Sequence, residues 1–389
     1  MRARLTRIGL ALLLIVAVLL AWEPSRVALQ TAVMLPNLLD AGPKPLALFS
    51  EAPRRQSIRY RPAEPGHETD LAELWLPAWA SADRRAGAML LVFGVNNVGR
   101  NHPAIVRVAD GLARTGVAVI VPESRALLEG RLEAAEIDGV VHAFETLAAR
   151  PEVDSERVGI VGFSVGGSLA LLAAADPRIA AQVRWVNAFG AYADAAEYLA
   201  SVAAHAYQAP DGTVTEWIPT ELARQVYLQF LLEGVADPVD RAALEAAFAE
   251  AILAADRGTR DEALRASLRT DAARAIYDLM VVRTLPEART AIAALPPESG
   301  DFIAAISPAG AMDGLRADVH LMHERDDHHV PYVQSRSLAA ELEDAGQLTR
   351  HTEFRLFDHV QPDDLDLAAA TPELWKLLWH VHALMVETL

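Results

Sequence analysis

Between residues 71 and 193 short apolar runs alternate with longer stretches in which apolar side chains recur every three or four positions. Ala88–Phe93 and Val117–Val121 are almost wholly apolar, the pattern of strands covered on both faces. Arg157–Val161 and Val183–Phe189 read as further strands, and Leu71–Leu76 as an edge strand. The stretches between them predict helices at Pro103–Arg114, Leu132–Ala149 and Gly167–Ala175. In the second of these Leu132, Ile137, Val140, Val141, Phe144 and Leu147 share one face. Strands and helices in strict alternation predict an α/β class protein: a mostly parallel sheet with crossover helices on both sides.

The alternation stops at about Asp194 and resumes after Phe302. Inside that interval the pattern is helical. Thr220 opens one helix that Gly234 ends, and Asp237-Pro238 opens another with Leu244, Phe248 and Ile252 at four-residue spacing, closed at Gly258. More helix is expected over Leu264–Leu285. Strands return at Val319–Met322 and Glu353–Phe357, with helices at Tyr332–Ala345 and after Thr371-Pro372-Glu373. The sequence therefore divides into a core of residues 57–193 and 303–389, interrupted by a helical cap over 194–302. Both ends of that insertion fall at the C-terminal edge of the sheet, where open α/β sheets bind ligands.

The N-terminal part follows a different pattern. Arg2, Arg4 and Arg7 precede an uncharged apolar run from Ile8 to Trp22, which Glu23 and Pro24 end. Residues 1–24 read as an uncleaved signal-anchor that leaves the rest of the chain outside the cytoplasm. A cleaved signal and secretion is the alternative. Residues 25–56 read as an amphipathic helix, capped by Ser25 and stopped by Pro36, followed by a linker leading to a short strand at Ser57–Tyr60.

Composition narrows the function. Of the 389 residues 52% are hydrophobic and 22% charged, enough apolar material for a large core. The formal charge of −17 repels phosphate backbones, which argues against nucleic acid as a partner. There is no cysteine, so disulfides, thiolate metal sites and a cysteine nucleophile are excluded.

Gly162-Phe163-Ser164-Val165-Gly166 has the G-x-S-x-G spacing of a nucleophile elbow, with an apolar strand before it and a helix after it. A serine at such a turn stands in a strained backbone, and its neighbours must be small because chain segments approach closely. A second cluster, His323-Glu324-Arg325-Asp326-Asp327-His328-His329-Val330-Pro331, follows the strand at Val319–Met322. A carboxylate there is placed to orient a histidine and stabilise its imidazolium. Asp327 is the first choice, with Asp326 as the neighbouring candidate. Phe357-Asp358-His359 follows the last strand, so His359 is placed to swing over the serine. The chain order Ser164, Asp327, His359 is the serine–acid–histidine order of a hydrolase built on this sheet.

Those residues in that frame resemble the α/β-hydrolase superfamily from about residue 57 to the C-terminus. The His-x-x-x-Asp-x-x-Val-Pro-x-x-x-Ser pattern over 321–335, and Asp154-Ser155-Glu156-Arg157 before the nucleophile strand, are similar to the dienelactone-hydrolase and prolyl-oligopeptidase-like branch. The chain departs from it in having serine where dienelactone hydrolases use cysteine, Phe93-Gly94 where His-Gly is usual, and Glu324 where glycine follows the histidine. The resemblance implies cleavage of an ester or related acyl bond through an acyl-enzyme, on a small-molecule acyl substrate and with no cofactor. In the same frame the oxyanion hole is expected from the backbone N–H of Val165 and of Val95, with Asn96 the next choice. Two readings compete: a metal-dependent hydrolase using the His323–His329 cluster, and a membrane-tethered binding protein that keeps the fold without catalysis. Trp217, Tyr227 and Phe230 are expected in the core of the cap.

Overall fold

The structure, a computed structural model, describes residues 23–39, 44–60, 71–256, 259–362 and 370–389. The predicted anchor over Ile8–Trp22 and the helix stop at Gly258 lie outside the described residues. Among the described residues no helix is long and apolar enough to cross a membrane.

Eight strands form the central sheet: β1 (Arg54–Arg59), β2 (Leu71–Leu76), β3 (Ala86–Val92), β4 (Ala118–Pro122), β5 (Val153–Phe163), β6 (Trp185–Phe189), β7 (Asp318–Glu324) and β8 (Leu348–Phe354). Their order is β1-β2-β4-β3-β5-β6-β7-β8. β2 runs against both neighbours, and every pairing from β4 to β8 is parallel. Side chains alternate in direction along a strand. Ala88, Leu90 and Val92 of β3 thus face one buried layer, and Met89 and Leu91 the other.

The first layer holds α3 (Ala135–Ala148), α4 (Val165–Ala174) and α12 (Val333–Asp344), the second α1 (Glu23–Leu38), α2 (Pro103–Thr115) and α13 (Thr371–Thr388). Between β6 and β7 lie α5 (Ala195–Ala204), α6 (Glu221–Glu233), α7 (Pro238–Leu253), α8 (Glu262–Ser267), α9 (Asp271–Met280), α10 (Leu285–Ala293) and α11 (Pro297–Ala305). These helices share an apolar cluster of their own, centred on buried residues such as Leu231, Leu244, Phe248 and Tyr277. A small hairpin, Ala206–Gln208 with Val214–Glu216, interrupts them and carries no clear sequence signal.

Two local expectations are corrected. Leu71–Leu76 is not an edge strand, because β1 pairs outside it. Glu73 within it is buried and accepts hydrogen bonds from Arg55 and Ser57. The segment before β1 is also more than a linker. Ser25 lies inside α1 rather than capping it, and α1 continues through Pro36. An interior proline costs a helix about 3 kcal/mol or more. Here it falls in the last turns, and burial of Met34 and Leu39 beneath it, at about 2 kcal/mol each, offsets that cost.

Candidate functional site

The elbow follows from crowding at the end of β5. A Cβ on Gly162 would lie 2.3 Å from the carbonyl oxygen of Gly166, and one on Gly166 would lie 2.5 Å from that of Val92. Only glycine lets α4 start so close to the strand. Ser164 between them has φ 56° and ψ −135°, a strained conformation for a residue with a side chain. Its N–H donates to Phe189 O at 2.7 Å and its carbonyl accepts from Gly167 N at 2.8 Å, which hold the turn. Val165 is the first residue of α4, so its N–H has no acceptor within the helix. The loop after β3 comes against this turn: a Cβ on Gly94 would stand 3.0 Å from that of Ser164. Val95 follows in that loop, and the Asn96 carboxamide shapes it by accepting from Gly99 N and Val98 N. The backbone of Val95 and the elbow are thus brought to one place, with the Asn96 side chain committed to the loop.

β7 and β8 supply the other groups. Asp327 is buried. One of its oxygens accepts from His329 N (2.7 Å) and Val330 N (3.0 Å), and the other lies 2.5 Å from His359 Nδ1 and 3.3 Å from His323 Nε2. Burial opposes ionisation of this carboxyl, but the charge of His359 and the hydrogen bonds of His323 and His359 outweigh it. They hold its pKa well below the usual carboxylate range. Asp326, the neighbouring candidate, points elsewhere: its side chain is 67% exposed and meets Arg355 at 3.1 Å. The structure brings Asp327, and not Asp326, to His359.

His359 sits in a tight turn between Phe357–Asp358 and Gln361–Pro362 with φ 60°, at a cost of about 1 kcal/mol for a residue with a side chain. Its bond to a carboxylate opposes that cost. The ring of His329 stacks on it at 4.6 Å, and burial and the charge of His359 push the pKa of His329 down to about 4. His359 Nε2 is buried with no hydrogen-bond partner. Ser164 and His359 line one cavity of about 880 Å³.

Several contributors escaped the sequence reading. Glu324, a departure from the resembling pattern, accepts from Leu356 N (2.7 Å), Phe357 N (2.9 Å) and Asp326 N (3.2 Å), and so ties the acid loop to the loop that carries His359. Trp217 is buried as expected, yet its indole N–H also donates to Asp327 O at 2.8 Å. Thr220 N likewise donates to His328 O. The insertion is therefore stitched to the acid loop. Tyr198 of α5 lines the cavity, and burial, then the Asp327 carboxylate, push its phenol above the ordinary range. Apart from the Asp326 N bond, these contacts join residues far apart in the chain and so have no local sequence signal.

The strand order, the single reversed strand and a serine elbow after β5 converge with one comparison: residues 91–206, less than a third of the chain, match the dienelactone hydrolase family. The chain has the α/β-hydrolase fold. No curated protein sequence matches this chain significantly. Solved structures similar to it include the acylaminoacyl peptidase of Pyrococcus horikoshii, at 13% identity and TM-score 0.45, covering 78% of this chain and 37% of that one. Dipeptidyl peptidase 4 of Porphyromonas gingivalis matches at 13% identity and TM-score 0.49, covering 89% and 38%. A truncated carbohydrate esterase from gut microbiota matches at 16% identity and TM-score 0.45, covering 78% and 88%. The chain spans little more than a third of the length of the two peptidase structures.

Proposed function

We propose that this α/β-hydrolase is a serine hydrolase that cleaves a carboxylic ester or related acyl bond through an acyl-enzyme. The observation that carries the reading is His359: one ring nitrogen is bound to the buried Asp327 carboxylate at 2.5 Å, and the other is partnerless in the cavity wall that also holds Ser164. In this reading Ser164 Oγ attacks the carbonyl carbon while His359 Nε2 takes its proton. The N–H groups of Val165 and Val95 receive the oxyanion, and His359 then returns the proton to the leaving group. Water repeats the sequence on the acyl-enzyme and releases the acid. Asp327 keeps the His359 ring oriented and balances its charge. Fluorophosphonate labelling tests this, combined with p-nitrophenyl esters and p-nitroanilides of matched acyl groups. Labelling with ester turnover supports the proposal; an unlabelled protein ends it, and faster anilide turnover moves it to amide bonds.

The cavity wall supports an apolar acyl group of substantial size. Leu132, Val226, Phe230, Phe302 and Ile306 contribute to it, and its carboxylates (Glu133, Glu233, Asp237, Glu298, Asp358) outnumber Arg107 and Arg131, which disfavours anionic substrates. Phe230 and Phe302 stack at 5.9 Å across the insertion. Phe230→Ala is therefore expected to raise KM for long acyl esters several-fold while the rate of labelling by a small fluorophosphonate changes less than about twofold. Equal effects on both would remove the insertion from substrate selection.

A metal-dependent second reading has one observation in its favour: donor atoms of Asp327, His329 and His359 lie within 4.8 Å of one another. Both Asp327 oxygens already accept hydrogen bonds, so an ion would have to displace the bond to His359. Ester turnover that survives a chelator excludes that reading. We also propose that residues 8–22 tether the protein to a membrane with the hydrolase outside the cytoplasm. Protease added to spheroplasts should then reach it.

A further inference from the structure

The outer face of the second helical layer is unusual for a surface exposed to water. α13 packs on α1, and α1 on α2. Val27, Thr31, Met34 and Asn37 form the buried side of α1, yet its opposite side offers Ala28, Leu29 and Ala32. The twelve residues from Val27 to Leu38 contain no charged side chain. A helix at a water-facing surface normally carries charge on its outer face.

The neighbouring elements continue the pattern. Leu48 and Phe49, on the short helix Leu46–Phe49 that packs on α2, are 81% and 85% exposed. On α13 the positions Trp375, Trp379, His382 and Val386 fall on one outward stripe at spacings of four, three and four. Trp375 and Trp379 are 61% and 53% exposed, with ring centroids 6.0 Å apart, and Trp379 stacks on His382. The charges beside them pair with each other: Lys376 meets Glu373 at 2.8 Å. Large exposed apolar patches on soluble monomers mark interaction surfaces.

Covalent connection and charge indicate the occupant. The described part of α1 starts at Glu23, and in sequence it follows directly on the apolar run Ile8–Trp22, whose composition suits a bilayer. Exposed tryptophans are the side chains enriched where protein meets the bilayer interface. A formal charge of −17 opposes close approach of a second copy. We infer that the face formed by α1, Leu48-Phe49 and the Trp375–Val386 stripe lies against a zwitterionic lipid surface. The protein is then held on the bilayer by this face as well as by its N-terminal tether, and this rests on the tether reading above. α1 would run along that surface from the tether to Leu38, a residue of the cavity wall.

The absence of cysteine makes the test direct. The full chain carrying Trp379→Cys, Phe49→Cys or, as a control on α7, Val239→Cys is spin-labelled and reconstituted in phosphatidylcholine vesicles. Flotation with the vesicles reads the tether. Power saturation against oxygen and a water-soluble nickel complex reads depth. Labels at 379 and 49 should be more accessible to oxygen than to nickel, with the order reversed at 239. Flotation with all three labels equally aqueous overturns the docking face and leaves the tether standing. A chain that does not float overturns both. Spin–spin broadening at 379 that survives dilution with lipid overturns the proposal in favour of an interface between copies.

Discussion

Ser164→Ala should lower ester turnover on the order of a thousandfold or more and leave the fold intact. A thousandfold loss is about 4 kcal/mol of barrier, more than a positioning contact ordinarily supplies. The expected size comes from the proposed mechanism: without Oγ no acyl-enzyme forms, and only the proposed oxyanion donors and binding remain to act on water. The fold should tolerate the change because the elbow is held by backbone bonds, Ser164 N to Phe189 O and Gly167 N to Ser164 O, and by Gly162 and Gly166. Alanine has to adopt φ near 56° as serine does, so the strain is shared by both proteins. The checks are steady-state turnover of a p-nitrophenyl ester, loss of fluorophosphonate labelling and an unchanged circular dichroism spectrum. Turnover within tenfold of the parent would remove Ser164 as nucleophile.

The second large effect separates two adjacent aspartates. Asp327→Asn should reduce kcat by about a thousandfold or more, because an amide facing His359 Nδ1 favours the wrong tautomer and cannot balance the imidazolium. Asp326→Asn should stay within a few-fold, since its carboxylate meets Arg355 in solvent, where such a pair contributes little. Kinetics of the two variants on one ester decide it; a larger loss at 326 would assign the acid to the neighbour. The same carboxylate predicts a pH signature in stability. Its folded pKa is lowered, so its contribution is fully present above the unfolded value of about 4 and is lost as pH falls through the folded value. The Tm difference between parent and Asp327→Asn should therefore be steady from pH 7 to about 5 and shrink below about 4. A difference that grows towards acid would reverse the sign and the argument.

How much of this could be read in advance depends on how local each determinant is. The elbow is a local object: five residues, a strand on one side and a helix on the other, and glycines where backbone segments meet. Asp327 and His359 were within reach because each follows a strand at the same edge of the sheet. The choice between Asp326 and Asp327 was not, because adjacent side chains in a loop point wherever its hydrogen bonds direct them. Here His329 N and Val330 N close on Asp327 and turn Asp326 to solvent.

The sequence by itself determined the alternation of strands and helices, the interruption between β6 and β7 and the residue types available for chemistry. Periodicity and turn chemistry act over a few residues, and local patterns record them. Tertiary structure decided what depends on distance in space rather than in sequence. It placed β1 outside β2, so that buried Glu73 stands in a strand that read as an edge. It carried α1 past Pro36, because apolar burial against other elements outweighs a lost helix bond. It also made Glu324 the tie between two loops and Trp217 the donor that fixes the acid loop. A hydrogen bond across a hundred residues leaves no periodic trace, since only the packed chain brings its two ends together.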